Sequence, residues 1–252
     1  MIPYVTLPPL FIGNLAIQPF ALLVSLGVLT AHFLLVARAK RMGLPGAWAA
    51  EMSLAMVAAG FAGAVLFKLL YRPELLAAAL TGAWGDVRLP GISSFGGLFG
   101  ALAGGLVYLL VRRVAAPDRL RYFDAVGFAF PFGFAFGRAG CTITHDHPGL
   151  RSDTGWLTVA YPGGARWDLG LLELLFLLAV CAAFLWTDRV ARPRGFYVAS
   201  MLIAYGVFRV ALDRFHVDPV RYAGFSVDQW AGVSAAALGS FFWWRARALR
   251  PL

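Results

Sequence analysis

Charged residues are scarce in this sequence. Only 14% of its 252 residues are Asp, Glu, Lys or Arg, whereas a soluble domain carries about a quarter. Hydrophobic residues make up 60% of the chain, and the mean hydropathy is +0.71. One soluble core cannot bury so much apolar sequence, so the composition predicts a single domain, residues 1–252, that lies in a lipid bilayer.

Cysteine is almost absent, and no cleavable signal peptide is visible. The two cysteines are Cys141 and Cys181, and Cys181 lies within an apolar run, so we expect no disulfide framework. The first apolar run is followed by Arg38, Lys40 and Arg41 rather than by a small-residue cleavage site. We therefore expect this run to remain as the first spanning helix.

A nucleic-acid partner is not expected, although the net charge is +9. The basic residues punctuate the apolar runs and do not form a stripe interleaved with exposed aromatic residues. Cytoplasmic anchoring and contact with anionic lipid account for this pattern.

Seven apolar runs are each close to the roughly 20 residues that a helix needs to cross the hydrocarbon. They predict an all-α integral membrane protein of about seven transmembrane helices. The predicted spans are 20–37, 47–71, 91–111, 123–140, 169–187, 196–212 and 226–244. The fourth is short, rich in Gly and Phe, and contains Pro131, which favours a kinked or partly re-entrant segment.

The basic residues predict the orientation of the helices. Thirteen of the 22 follow the first, third, fifth and seventh spans, all on one side, and the positive-inside rule assigns that side to the cytoplasm. The N-terminus is then external and the C-terminus cytoplasmic. The longer connections 72–90, 141–168 and 213–225 fall outside, and residues 141–168 are expected to form a small external cap.

Two arginines near the external ends of spans are the strongest candidates for binding. Arg138 ends the fourth span, and Arg209 lies in the last turn of the sixth, with Tyr205 and Asp213 on the same helical face. Snorkelling to the headgroups, or an Arg209–Asp213 ion pair, would be a purely structural explanation. Two arginines that arrive at the same depth from different helices favour an anionic ligand, and their planar forks suit a phosphate.

A polar segment, Cys141-Thr-Ile-Thr-His145-Asp146-His147, follows the fourth span. Its thiol, imidazoles and carboxylate suggest acid–base work, a zinc site, a cysteine nucleophile, or simply a polar loop at the membrane rim. Because a structural zinc normally needs four good ligands, we expect no metal and no cofactor. The glycines of Gly91-Ile-Ser-Ser-Phe-Gly-Gly97 allow close approach of a helix or a ligand.

Four local motifs resemble those of the prolipoprotein diacylglyceryl transferases. The stretch Phe130–Gly140, continuing to Gly149, is similar to the family signature around its essential arginine. Leu202–Arg209 with Asp213 resembles the motif of the second arginine, with Asp in place of Glu. Ser93–Gly97 resembles Ser-Phe-His-Gly-Gly, Ser226-Val-Asp-Gln229 resembles Ser-Met-Gly-Gln, and Glu173 aligns with the glutamate of His-Pro-Ser-Gln-Leu-Tyr-Glu.

The resemblance implies a function. Enzymes of this family transfer a diacylglyceryl group from phosphatidylglycerol to a lipobox cysteine thiol and release glycerol-1-phosphate at the outer face of the bacterial inner membrane. By matched motif positions, Arg138, Arg209 and Asp213 are expected to carry catalysis. Cys141, His145 and His147 are added to this catalytic set as new polar groups placed to replace motif residues that this sequence lacks. Those expected to bind substrate are Arg138, Arg209, Tyr205, Ser94, Gly96, Gly97, Gln229 and Gly149.

The sequence also departs from the family pattern on the side expected to handle the acceptor. Phe95 stands at the motif histidine, or the histidine is lost by a one-residue contraction, and Phe20 stands at a tyrosine of the first helix. Cys141, Thr144 and Asp146 replace two asparagines and a glutamate, and Trp167-Asp-Leu-Gly replaces His-Pro-Ser-Gln. The leading hypothesis is therefore a transferase with an anionic phospholipid donor and a thiol or another small nucleophile as acceptor. The alternatives are a phospholipid-binding or transport protein without turnover, and a metal-dependent membrane enzyme using Cys141, His145 and His147.

Overall fold

Seven long helices make up most of the described part of the chain in this computed structural model. The structure describes residues 1–13, 15–68, 81, 93–153, 155–217 and 219–248. The helices are α1 Pro19–Arg41, α2 Gly46–Lys68, α3 Ser94–Val111, α4 Ala116–Thr144, α5 Leu169–Thr187, α6 Phe196–Leu212 and α7 Val227–Ala248. A 3₁₀ helix, Asp213–Phe215, continues α6.

The prediction of an all-α integral membrane protein is confirmed. Six helices, α1 to α6, are long and apolar enough to cross a membrane, and α7 has 22 residues. Each helix overlaps one predicted span. Residues 69–71 of the second span, 91 and 92 of the third, and the connection 72–90 apart from residue 81 lie outside the described residues.

The fourth span is longer than predicted and is a continuous helix rather than a re-entrant segment, while the kink considered at Pro131 stays a prediction. Helix α4 runs without interruption for 29 residues and contains Pro131 in its interior. Residues 116–122 extend it at its beginning, although Arg119 and Arg121 made them resemble a loop in the sequence. The helix lies between α1, α5 and α6, and its many Gly and Phe residues serve packing within the protein rather than a re-entrant turn.

Glycines bring the helices close together at three crossings. Helix α2 packs along α3, α1 along α4, and α6 along α7. A Cβ at Gly63 would collide with the backbone of α3, one at Gly133 with the carbonyl of Gly27, and one at Gly206 with the carbonyl of Gly232. Small residues at such crossings allow the backbones of membrane helices to approach each other.

Short strands cover the end of the bundle where α4 ends and α5 begins, which we call the cap end. Strands β1 Leu10–Ile12 and β2 Leu15–Ile17 form a hairpin before α1. Strands β3 Pro148–Arg151, β4 Thr158–Val159 and β5 Arg166–Asp168 form an antiparallel sheet in the order β3-β5-β4. A second hairpin, β6 Arg221–Tyr222 and β7 Phe225–Ser226, leads into α7.

The N-terminal residues also join the cap, because Ile2 forms a parallel bridge with Val159. The opposite end of the bundle carries the clustered basic residues. There Arg38 at the end of α1 forms a 2.9 Å ion pair with Asp188, which follows α5.

Candidate functional site

Glu173 lies at the centre of a buried polar cluster at the cap end. Its carboxylate is 1% exposed and sits in the second turn of α5. One oxygen, Oε2, is 3.0 Å from Nη2 of Arg138 and 2.9 Å from Nη1 of Arg209. The other oxygen accepts a 2.7 Å hydrogen bond from the hydroxyl of Tyr205. Two arginines from separate helices therefore meet on one carboxylate oxygen.

Arg138 is held by α4 and by the first residue of α3. Its Nη2 donates to the hydroxyl of Ser94 at 2.7 Å, and its Nη1 lies 3.7 Å from the sulfur of Cys141. The guanidinium also lies over the ring of Phe134. Its Nε–H is buried and has no hydrogen-bond partner among the described residues.

Arg209 reaches the cluster from the last turn of α6. Its Nη2 forms a 2.9 Å ion pair with Asp228 in the first turn of α7, and its guanidinium stands over the ring of Phe95. Neither oxygen of Asp213 accepts a hydrogen bond from a described residue, whereas Glu173 and Asp228 each lie 2.9 Å from the guanidinium of Arg209. The Arg209–Asp213 ion pair considered from the sequence stays a prediction. The hydroxyl of Tyr205 supports Glu173 instead of Arg209.

Asp213, His216 and Asp228 form a second polar group beside Arg209. The Nδ1 of His216 is 3.5 Å from Oδ1 of Asp213, and its Nε2 is 3.9 Å from Oδ2 of Asp228. Burial, together with the nearby charge of Arg209, lowers the pKa of the His216 imidazole. His216 is therefore neutral at pH 7. Asp228 and His216 were missed as site residues, since no local sequence pattern joins them.

His147 lies beside Cys141 and Asp146. Its Nδ1 is 2.6 Å from Oδ1 of Asp146. This hydrogen bond, followed by one with Cys141, raises the pKa of His147 to about 9. The imidazole is then cationic at pH 7, which suits it to bind an anion and not to accept a proton.

His145 points into the cap and does not join Cys141 and His147. Its Nδ1 is 2.6 Å from Oδ2 of Asp168, which also accepts a 2.8 Å bond from the hydroxyl of Tyr161. The ring of Tyr4 stacks on the imidazole at 4.4 Å. The proposed metal set of Cys141, His145 and His147 is thus wrong. His145 caps the end of α4 in the left-handed conformation, with φ of 51°.

The group that the structure brings together instead is Cys141, Asp146 and His147, whose ligand atoms lie within 4.8 Å of one another. Asp168 was missed, although its position just before an apolar run is a helix-capping signal. Its Oδ1 accepts from the backbone N–H of Leu171 and caps α5.

The remaining predicted site residues have structural contacts. Gln229 and Ser226 form a reciprocal capping box at the start of α7, with both hydrogen bonds at 3.0 Å. A Cβ at Gly96 would collide with the carbonyl of Gly63, and one at Gly149 would crowd the carbonyl of Phe215. Among the described residues, a Cβ at Gly97 would meet atoms of α2 at ordinary contact distance. Ligand contact by Gln229, Gly96, Gly149 and Gly97 stays a prediction.

Comparisons with known proteins found one matching family and several relatives. The family model described as prolipoprotein diacylglyceryl transferase matches residues 9–245. Relatives named phosphatidylglycerol–prolipoprotein diacylglyceryl transferase include one from Chromohalobacter salexigens, 29% identical over 240 residues, which cover 91% of this chain and 86% of the relative. The relative from Pasteurella multocida is 28% identical over 216 residues, with coverage of 81% and 76%. The relative from Leifsonia xyli subsp. xyli is 26% identical over 243 residues, with coverage of 89% and 73%.

Proposed function

The chain belongs to the prolipoprotein diacylglyceryl transferase family, and we propose that it transfers a diacylglyceryl group from phosphatidylglycerol, or a similar anionic phospholipid, to an acceptor thiol. The donor and the prolipoprotein acceptor are those in the names of its relatives. The site lies at the periplasmic face of a bacterial inner membrane, as the distribution of basic residues predicts.

The meeting of Arg138 and Arg209 on one oxygen of Glu173 is the observation that supports this proposal. A buried arginine is costly in a membrane protein and is retained where it has a partner or a ligand. Glu173 keeps the two guanidinium groups together when no lipid is bound. The buried Nε–H of Arg138, which has no partner among the described residues, offers a further donor to a phosphate oxygen.

The arginines have a clear task in the proposed reaction. The acceptor sulfur, as thiolate, forms a bond to the carbon of the diacylated glycerol that carries the phosphate. The bond between this carbon and the phosphate oxygen breaks. The electron pair goes to the phosphate oxygen, and glycerol phosphate leaves with one additional negative charge. Guanidinium groups fixed beside that oxygen stabilise the charge as it develops.

The thiol proton needs a base, and we assign it to His145. Asp168 holds the Nδ1 of this imidazole at 2.6 Å, which favours the tautomer that accepts a proton at Nε2. His147 is a poorer base because its raised pKa keeps it protonated at neutral pH. Its positive charge lies beside Cys141 and adds to the attraction for an anionic headgroup.

The test uses purified protein in vesicles that contain phosphatidylglycerol, with a lipobox peptide or a small thiol as acceptor. We expect release of glycerol phosphate and an acceptor mass increased by one diacylglyceryl group. Replacing Arg138 or Arg209 by Lys keeps the charge but loses the planar fork, and should reduce the rate by about 10²- to 10³-fold. The matched control is Arg112→Lys, whose partner Glu51 lies on α2. Equal rates in all three variants, or no headgroup release with either acceptor, would overturn the proposal.

A second candidate is a protein that binds the phospholipid without turnover. It is favoured by Phe95, which is fully buried beneath Arg209 where the resembled motif has a histidine. Saturable binding of phosphatidylglycerol without any glycerol phosphate release would identify this function.

A further inference from the structure

Three potential metal ligands meet where α6 ends and α7 begins. Asp213 begins the 3₁₀ helix, His216 follows that helix, and Asp228 lies in the first turn of α7. One ligand atom from each lies within 4.8 Å of the other two. The resemblance to the transferase family does not imply this set, because Asp228 stands where the resembled motif has glycine.

The ligand atoms of Asp213 and His216 are buried without hydrogen-bond partners among the described residues. They are both carboxylate oxygens of Asp213 and the Nδ1 of His216. The Asp213 side chain is only 1% exposed. A buried carboxylate without a donor is unfavourable unless a cation compensates its charge. These atoms therefore point to a ligand that carries positive charge.

The spacing of the two groups also suits a bound ion. The 3.5 Å between Oδ1 of Asp213 and Nδ1 of His216 exceeds the usual 2.7–3.2 Å of an N–H···O hydrogen bond. Two ligands held about 2.1 Å from a tetrahedral zinc ion lie roughly 3.4 Å apart. The observed separation is close to that value, so an ion can join the two atoms with little movement.

We propose that Asp213, His216 and Asp228 bind one divalent transition-metal ion, for which zinc is the probe. Carboxylate and imidazole are ligands that zinc accepts, and three protein ligands leave a fourth position open. Asp228 also bonds Arg209, so the ion lies next to the guanidinium cluster. Its open position is then available to a phosphate oxygen of the donor. That last role rests on the proposed function, whereas metal binding itself does not.

The test measures metal content in the full-length protein in detergent, without lipid substrate or acceptor. The protein is treated with EDTA, equilibrated with zinc, freed of excess ion and analysed for metal. We expect close to one zinc per chain, and less than a tenth of that in His216→Ala and Asp213→Asn. The matched control is His147→Ala in the other potential metal group, which should keep its zinc.

Asp213→Asn preserves the volume of the side chain, so it is a second test that does not depend on the correct folding of His216→Ala. Zinc should raise the Tm of the wild-type protein above its value in EDTA and leave the Tm of Asp213→Asn unchanged. No stoichiometric zinc in the wild type, or zinc lost from His147→Ala and kept in His216→Ala, would overturn the inference. Zinc-loaded protein without transferase activity would instead count against the proposed function alone.

Discussion

At the scale of single residues, Glu173 balances the charge of the candidate site. Its carboxylate compensates two buried guanidinium groups, and the hydroxyl of Tyr205 fixes its second oxygen. An isolated buried charge is strongly unfavourable in a protein interior, so each member of this cluster depends on the others. A phosphate that enters the site would take over part of the role of Glu173.

Replacing Glu173 by Gln should therefore destabilise the protein by about 3–5 kcal/mol, because two buried cations lose their shared partner. We expect phosphatidylglycerol to restore part of the lost Tm and phosphatidylcholine to restore none. The control is Glu51→Gln, which removes a half-exposed partner of Arg112 and should lower the Tm only slightly, because solvent screens this ion pair. A loss of Tm in Glu173→Gln no larger than in Glu51→Gln would contradict this interpretation.

His147 should make stability depend on pH in the alkaline range. The pKa of this group rises from 6.5 to about 9 in the folded protein. The contribution of His147 to the free energy of unfolding is complete below pH 6.5 and is lost as the pH rises through 9. The Tm of the wild-type protein should fall over this interval, and the fall should be smaller in His147→Gln. Asp153→Asn changes an exposed cap residue and should retain the full fall; an identical fall in His147→Gln would refute the raised pKa.

At the scale of elements, glycines set the distances between helices. Helices α1 and α4 approach each other at Gly27 and Gly133, where a methyl group on either would meet the backbone of the other. One turn further along α4, an added Cβ at Gly137 would meet no neighbouring element within 4 Å among the described residues. The next residue is Arg138, so the position of the guanidinium depends on how closely these helices pack.

This difference predicts opposite effects of the same substitution on one helix. Gly133→Ala overpacks the crossing and should destabilise the protein by about 1–3 kcal/mol. Gly137→Ala should leave stability unchanged or raise it by up to about 1 kcal/mol, since alanine restricts the unfolded chain. Thermal unfolding of both variants in the same detergent measures the difference. Equal Tm values would show that α1 and α4 are not in contact at Gly133.

At the scale of the whole molecule, the two ends of the bundle differ in character. One end carries Arg38 at the end of α1 and the basic connection between α5 and α6. The cap end carries the short sheets and the buried polar cluster. Cytoplasmic loops concentrate Lys and Arg, so the cap end is expected to face the periplasm.

Labelling of introduced cysteines tests this orientation. Asp153 in the cap and Arg194 between α5 and α6 are both exposed, whereas the native Cys141 and Cys181 are buried. In intact spheroplasts a membrane-impermeant maleimide should label Asp153→Cys and leave Arg194→Cys unlabelled until the cells are permeabilised. The wild-type protein, which has only the buried thiols, is the background control. The reverse pattern of labelling would show that the cap end faces the cytoplasm.

Hydropathy and charge within the sequence determined the membrane-spanning character and the approximate positions of the helices, and they singled out Arg138 and Arg209, whose role stays a prediction. These features are local, because a run of apolar residues must be buried in lipid whatever it packs against. Four local motifs taken together, including those around both arginines, were also sufficient to indicate the family.

Tertiary structure alone decided which side chains meet. The helices are apolar nearly all around, so their sequences carry little periodicity to show which face turns inward. Only the packing of these helices brings Glu173 of α5 between the two arginines. Only the path of the chain through the cap places Asp168 beside His145. Asp213, His216 and Asp228 meet for the same reason, since contacts between separate elements depend on helix rotation and on the path of the chain between them.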